Sequence, residues 1–169
     1  MRRLIPVLLL ALSLAGCATV QRLGAANDVH ALLVAIRDDD AAAFEAHIDR
    51  PALQREIEAR MARELQSSTT DQRLKLLGAL LGPTVARVAG DVLIQPSTFR
   101  IVAESYGYRP SQALPGPVGI ASVLKPLDDG RVCATRKKDG PCVLVFAKQG
   151  DTWRLTGFEG ELSLLKKHG

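Results

Sequence analysis

Residues 129–158 read DGRVCATRKKDGPCVLVFAKQGDTWRLTGF, and this stretch decides the fold class. It is divided by turn signals about ten residues apart, at Asp129-Gly130, Asp139-Gly140 and Gly150-Asp151. Glycine and aspartate tolerate the positive φ angles of tight hairpin turns, so apolar runs between such pairs are typical of antiparallel strands. We therefore predict an antiparallel meander of about four strands, at residues 119–127, 131–136, 142–148 and 152–158.

The composition of these strands indicates their place in the sheet. The third strand is the most apolar and should be central, since it contains Val143, Leu144, Val145 and Phe146 in succession. In the last strand, Trp153 and Leu155 are two residues apart and therefore share one face. We expect these two side chains to close the core against the helices.

Two cysteines, Cys133 and Cys142, flank the turn segment 137–140. A tight turn centred on Lys137 and Lys138 would place the cysteines directly opposite each other, in position for a disulfide. A three-residue turn ending at Gly140 would offset them, and the bond would then be strained or absent. We predict the disulfide, with two reduced core cysteines as the alternative. A metal site is not expected, because neither a CxxC pair nor a nearby histidine cluster completes a ligand set.

Residues 28–105 carry helical periodicity instead. Asn27 or Asp28 should cap a first helix that ends at Arg37, and Asp40 should cap a second helix, 41–48. Pro51 suits the first position of a third helix, to about residue 66, whose buried stripe is Leu53, Ile57, Met61 and Leu65. Later helices are predicted at 71–81, after Pro83 with Val85, Val88, Ala89, Val92 and Leu93 as its apolar positions, and after Pro96 with Phe99 and Val102.

The order of these elements predicts an α+β fold, with N-terminal helices packed on one face of a C-terminal antiparallel sheet. Within a single domain, 28–169, we distinguish a helical part (28–105), a linker (106–117), the sheet (118–160) and a tail (161–169). The same order is similar to the cone-like folds of nuclear transport factors, by analogy of element order alone.

The N-terminus resembles a bacterial lipoprotein signal peptide. Residues 1–17, MRRLIPVLLLALSLAGC, begin with Arg2 and Arg3, continue with a short apolar run, and end in small residues before Cys17. The resemblance implies cleavage after residue 16, lipid on Cys17, and a tether over 17–27. The alternative, an uncleaved membrane span, is weakened because the apolar run to Val20 is about 17 residues long, near the minimum for crossing a bilayer. Ala18, where an aspartate would be a retention signal, favours the outer membrane.

Composition excludes one class of partner. The 169-residue chain has 22 basic and 18 acidic side chains, and removal of Arg2 and Arg3 leaves 20 against 18, a net charge near +2. Aromatic residues make up only 4% of the chain, and no basic patch is interleaved with stacking aromatics, so nucleic-acid binding is not expected.

Histidines are the only candidates for catalysis that the sequence offers. His30 and His47 are the two outside the tail, and His47 lies two residues from Asp49, so this pair could act as a general base. The alternative is that His47 is a helix-terminal histidine that interacts with the helix dipole, and that His30 lies exposed in a first helical turn. The chain has no GxSxG, P-loop, HExxH or dinucleotide fingerprint.

The mature part resembles a family of exported or membrane-anchored bacterial proteins, domain-of-unknown-function family twenty-nine thirty-nine. The resemblance is carried by these segments: 35–38 with 40–41 and Phe44, 49–53, 80–83, 92–96, and the strand 150–155. It implies an N-terminal apolar anchor and brings with it neither a reaction nor a ligand.

Three hypotheses of function follow. The first is a non-catalytic envelope lipoprotein that faces the periplasm and binds an envelope protein or a cell-wall component, without cofactor or metal. The second is an enzyme with a pocket site in which His30 or His47 is the general base. The third is a small-ligand carrier, with Tyr106 and Tyr108 as candidate residues at the rim of its cavity.

Overall fold

The computed structural model describes residues 4–68, 88, 90–105, 107–137 and 139–159, with side chains from Thr19 onward except those of 65–68. The predicted helix 71–81, the start of the following helix, Tyr106 and the tail 161–169 lie outside this part. In the ranges described with side chains, none of the helices is long and apolar enough to cross a membrane.

Three helices form the first half of the chain: α1 (Leu4–Asp38), α2 (Ala41–Ala46) and α3 (Arg50–Ser68). Asp40 caps α2 as predicted, and its carboxylate accepts a hydrogen bond of 3.0 Å from the Ala43 backbone N–H. The predicted α3 stripe is also confirmed where its side chains are described, since Leu53 and Ile57 are buried and Met61 packs against the core.

The predicted start of the first helix at Asn27 or Asp28 is wrong, because α1 runs unbroken through both residues. Asp28 does not cap a helix and instead accepts a hydrogen bond from β4 (below). Ala25 and Ala26, which fall in the expected tether, have no exposed surface and are part of the core. The tether residues nearest the domain are therefore part of a packed helix.

Two shorter helices follow, α4 (Pro96–Ser105) and α5 (Pro117–Ala121), and residues 90–93 are also helical. Phe99 of α4 makes an edge-to-face contact with Phe44 of α2, with ring centroids 5.2 Å apart. Three of the apolar side chains that recur at helical spacing before Pro96 are exposed: Val88, Val92 and Leu93. Helical periodicity identifies residues on a common face, and it does not determine whether that face is covered.

The sheet has four antiparallel strands in the order β1-β2-β3-β4: β1 (Leu124–Pro126), β2 (Val132–Thr135), β3 (Cys142–Gln149) and β4 (Thr152–Phe158). The meander and the central place of β3 are confirmed. The first predicted strand, 119–127, is wrong over residues 119–123, of which the first three belong to α5. Pro117 directly after Gly116 is a favourable helix start, and that signal outweighs the β-prone residues that follow.

The core lies between the helices and one face of the sheet, so the α+β architecture is confirmed. Trp153 and Leu155 are buried in it, as predicted. Phe146 of β3 faces the same core as Leu155, to which it is paired across the strands. The largest fully buried side chains in the described ranges come from both halves of the chain: Phe44, Phe146, Ile48, Leu53, Ile94, Leu155, Val132 and Cys133.

Candidate functional site

The segment that joins α2 to α3 is fixed to the free edge of β4. Ile48 forms an isolated parallel bridge with Leu155. The Asp49 N–H donates to the Leu155 carbonyl at 2.8 Å, and the Leu155 N–H donates to the His47 carbonyl at 2.9 Å. These two bonds satisfy backbone groups of the edge strand that would otherwise be exposed. They also place the side chains of His47 and Asp49, on either side of Ile48, at the edge of the sheet.

His47 is the C-cap residue of α2, and its ring is held between α2 and α1. Its Nδ1 lies 3.0 Å from the Ala43 carbonyl oxygen, and because a carbonyl can only accept, Nδ1 carries the proton. Its Nε2 lies 3.6 Å from Oδ1 of Asp28. The side chains of His47 and Asp28 are 18% and 23% exposed, so water still reaches the pair.

Asp28 also joins α1 to β4. Its Oδ2 accepts a hydrogen bond of 2.8 Å from the backbone N–H of Trp153, a residue that is only 5% exposed. A carboxylate in this position satisfies a buried backbone donor near the start of the strand. We call the group Asp28, His47 and Trp153 the α1–β4 clasp.

The orientation of the His47 ring differs from that of the histidine in a catalytic triad. In such sites a carboxylate orients one ring nitrogen and the other faces the reacting group. In the clasp, Nδ1 is bonded to a backbone carbonyl and Nε2 faces the carboxylate, so both nitrogens are directed at the protein. The arrangement can hold α1, α2 and β4 together, and proton transfer would require the ring to turn.

Asp49 is not the partner of His47, so the pairing expected from their spacing is wrong. One carboxylate oxygen of Asp49 accepts from the Ala52 N–H at 2.9 Å and caps α3, and the other accepts from Nε2 of Gln149 at 2.6 Å. His47 and Asp49 lie on either side of a helix boundary, so their side chains point in different directions. The Asp49 carboxylate caps the N-terminus of α3.

His30 lies in the last third of α1 and is half-buried, so the expectation of an exposed residue in a first helical turn is wrong as well. Its Nδ1 is 3.0 Å from the carbonyl oxygen of Pro115, in the segment that leads into α5. The carbonyl is again the acceptor, which makes His30 a link between α1 and the linker region.

The structure contains the predicted Cys133–Cys142 disulfide, with the two Cα atoms 5.6 Å apart. The cysteines are nevertheless offset, because Cys133 pairs with Val145 and Cys142 pairs with Thr135. A β-bulge between Ala134 and Thr135 shortens the offset by one residue, because an unbroken register would pair Cys142 with residue 136. The remaining offset does not prevent the bond, since the two Cα atoms lie within the usual range for a disulfide.

The tip of this hairpin is a four-residue turn, in which the Gly140 N–H donates to the Lys137 carbonyl at 2.9 Å. Arg136 and Lys137 are exposed there, and Lys138 lies outside the described part. The opposite end of the sheet has the β1–β2 turn, residues 127–131. The pKa of Asp129 in this turn is lowered by hydrogen bonds from the Arg131 backbone N–H and then from the Arg131 guanidinium.

Cys17, the predicted lipidation residue, lies within α1, and its side chain is outside the described part. A link between this part of α1 and the sheet comes from Gln21, whose amide donates to the Gly130 carbonyl at 2.8 Å. Across the ranges whose side chains are described, no three His, Cys, Asp or Glu side chains are grouped so that they could hold a metal ion.

Sequence reasoning missed two contributors to this region, Asp28 and Gln149. Asp28 was interpreted as a helix cap, which its position before an apolar helical stretch favours, and its partners lie about 20 to 125 residues away in the chain. Local spacing carries no information about such contacts. A cue that could have been used is that Asp28 sits among residues that become fully buried, where an ionised group needs partners.

Comparison with known proteins gives a family and nothing further. No curated protein and no solved structure matches the chain. A family model described as "Protein of unknown function (DUF2939)" matches residues 10–101, a little more than half of the chain. The match spans α1 to most of α4, and the strand segment 150–155, to which we also attributed the resemblance, lies outside it. The chain therefore belongs to the DUF2939 family of proteins of unknown function.

Proposed function

We propose that this protein is a lipid-anchored envelope protein whose domain faces the periplasm and acts as a non-catalytic binding or assembly module. The observation that carries the proposal is the N-terminal pattern, in which two arginines and a short apolar run precede Leu14-Ala15-Gly16-Cys17. Several acyl chains on Cys17 would anchor the protein stably, because each buried methylene contributes about 0.8 kcal/mol. Ala18 supports the outer membrane as the destination.

The disulfide supports an exported location. Structural disulfides persist in oxidising compartments such as the bacterial periplasm and are rare in the cytosol. Cys133 is almost fully buried, and Cys142 lies in the adjacent strand, so the bond closes a hairpin within the sheet.

The positions of the histidines support a non-catalytic role. His30 bonds the Pro115 carbonyl, and both ring nitrogens of His47 are directed at protein groups. Each histidine thus has a structural task, joining helices to one another or to the segment before α5. An envelope protein or a cell-wall component is the class of partner we propose.

Metabolic labelling tests the anchor. Cells that express the full-length chain are grown with radiolabelled or clickable palmitate, next to cells that express Cys17→Ser. Cys133→Ser is the matched control, since it also removes one cysteine. We expect label in the wild type and in Cys133→Ser and none in Cys17→Ser. Label that persists in Cys17→Ser would contradict the proposal.

Crosslinking in intact cells tests the binding role. The lipidated protein is purified after crosslinking, and the species attached to it are identified by mass spectrometry. We expect one reproducible envelope protein or glycan, lost when exposed residues of the domain are altered. If no partner is captured, the result favours the alternative of a small-ligand carrier. A ligand-dependent rise in Tm would then support that alternative.

The enzyme alternative depends on the Asp28–His47 pair and has its own test. If His47 is a general base, His47→Ala abolishes the cellular function, although the domain is still folded. If His47 is a structural link, His47→Ala preserves function at temperatures at which the variant remains folded. Circular dichroism of the purified variant establishes that condition.

A further inference from the structure

Helix α1 joins the proposed lipid site to the folded domain without a break. Cys17 and the first fully buried residue, Ala25, both belong to α1. At 1.5 Å per residue, the axial distance between them is about 12 Å, just over two helical turns. A flexible chain of the same eight residues would have a root-mean-square span of about 16 Å and no preferred direction.

The part of α1 that follows Cys17 is bonded to one end of the sheet. Gln21, about 6 Å along the axis from Cys17, donates its amide N–H to the Gly130 carbonyl in the β1–β2 turn at 2.8 Å. This turn is itself ordered by a 2.8 Å bond from the Leu127 N–H to the Arg131 carbonyl and by the Asp129–Arg131 ion pair. Cys17 therefore leaves the domain beside the β1–β2 turn.

The strand order places the turns of the sheet at two opposite ends. In an antiparallel meander successive turns lie at alternate ends, so the β3–β4 turn is at the same end as the β1–β2 turn. The β2–β3 turn, with Arg136, Lys137 and the disulfide, is at the opposite end. From Gly130 to Lys137 is seven residues, which in an extended strand span about 23 Å.

We propose that residues 17–24 of α1, which remain after cleavage, are a rigid stalk that seats the domain on the headgroup surface of its own membrane, with the β1–β2 turn next to the bilayer and the disulfide hairpin directed away from it. This rests on the proposed function, because it requires lipid on Cys17. The end of the sheet that contains the β1–β2 turn, which we call the seated end, lies against the bilayer surface. The opposite end, with the exposed residues Arg136 and Lys137, faces the periplasmic space.

Charge and helix chemistry agree with this placement. Among the described side chains around the seated end, acidic and basic groups are mixed, as in Arg22, Asp128, Asp129 and Arg131. These residues do not form the single-sign stripe that binds anionic lipid, so we assign the orientation of the domain to the stalk. Acylation of the Cys17 amino group would also remove a positive charge from the positive end of the α1 dipole, which favours helix at that terminus.

Fluorescence quenching by labelled lipid tests the orientation. Asp128→Cys and Lys137→Cys variants of the lipidated full-length protein are labelled with a maleimide fluorophore and placed in phosphatidylethanolamine and phosphatidylglycerol vesicles that contain a headgroup nitroxide lipid. We expect the label at 128 to be quenched several-fold more strongly than the label at 137, because about 23 Å separates the two ends. Intact mass confirms one label per chain and the disulfide.

The control variant carries Gly-Ser-Gly-Ser inserted between Thr19 and Val20, which interrupts the stalk and leaves the anchor in place. We expect the difference between the two labels to disappear in it. Equal quenching at 128 and 137 in the uninterrupted protein, with lipid on the Cys17 peptide, would overturn the rigid stalk alone. A Cys17 peptide without lipid would overturn the proposed function, and the stalk with it.

Discussion

Replacing Asp28 by alanine tests whether the α1–β4 clasp is structural. The variant removes the carboxylate that accepts from the Trp153 N–H, and Trp153 is only 5% exposed. A buried donor left without a partner costs about 1–3 kcal/mol, and bonds to charged groups lie in the upper part of that range. Because Asp28 itself is partly exposed, we expect a loss of about 2 kcal/mol in the free energy of unfolding.

Urea denaturation of the soluble fragment that starts at Ala18 measures this loss. Asp28→Asn is the conservative variant, since its amide oxygen can still accept from Trp153, and we expect it to cost about 1 kcal/mol because a neutral bond is about half as strong. Glu104→Ala, an exposed carboxylate on α4, is the control and should change stability by no more than about 0.5 kcal/mol. If Asp28→Ala were no more destabilising than Glu104→Ala, the structural role of the clasp would be refuted.

Three further predictions concern the two hairpins and α1. Replacing both Cys133 and Cys142 by serine should lower the free energy of unfolding by about 2–3 kcal/mol, because the bond closes a short loop, and thermal unfolding under non-reducing conditions measures it. The pKa of Asp129 should lie below its usual value, so its stabilising effect is present at neutral pH and is lost as the pH falls below about 4. In an NMR titration, Arg131→Ala should bring the pKa of Asp129 only part of the way back to its usual value, because the backbone hydrogen bond, which is the larger cause of the shift, remains. An unchanged pKa in this variant would contradict the assignment. Gly24→Ala should stabilise the protein by about 0.5–1 kcal/mol, because alanine favours the helix more than glycine does. The added Cβ would make an ordinary contact of 3.5 Å with the Trp153 ring nitrogen. A Tm lower than that of the wild type would contradict this prediction.

Local signals in the sequence were sufficient for most of the sheet and the helix boundaries. The Asp-Gly and Gly-Asp turns located β2, β3 and β4 to within one or two residues, and Asp40 located the start of α2. These signals succeed because the backbone conformation of a tight turn or a helix cap depends on the residues in it. The prediction for the segment before β1 was wrong because Pro117 starts a helix, and the residues that follow it suit a helix as well as a strand.

The candidate site was beyond what local patterns can give. Asp28, His47 and Trp153 meet only after α1 has packed across β4, and their separation in the chain leaves no periodic trace. The disulfide pairing was predicted from its two cysteines, but the register of their strands depends on the position of the turn and of the bulge between Ala134 and Thr135. Contacts of this kind are set by tertiary structure, and a single sequence does not encode them in a pattern of fixed spacing.

The most direct test of the lipid anchor is mass spectrometry of the N-terminal peptide of the protein extracted from bacterial membranes. The proposed function predicts a peptide that begins at Cys17 and carries acyl chains, with residues 1–16 removed. An unmodified peptide that continues through Gly16 into Cys17 would contradict it.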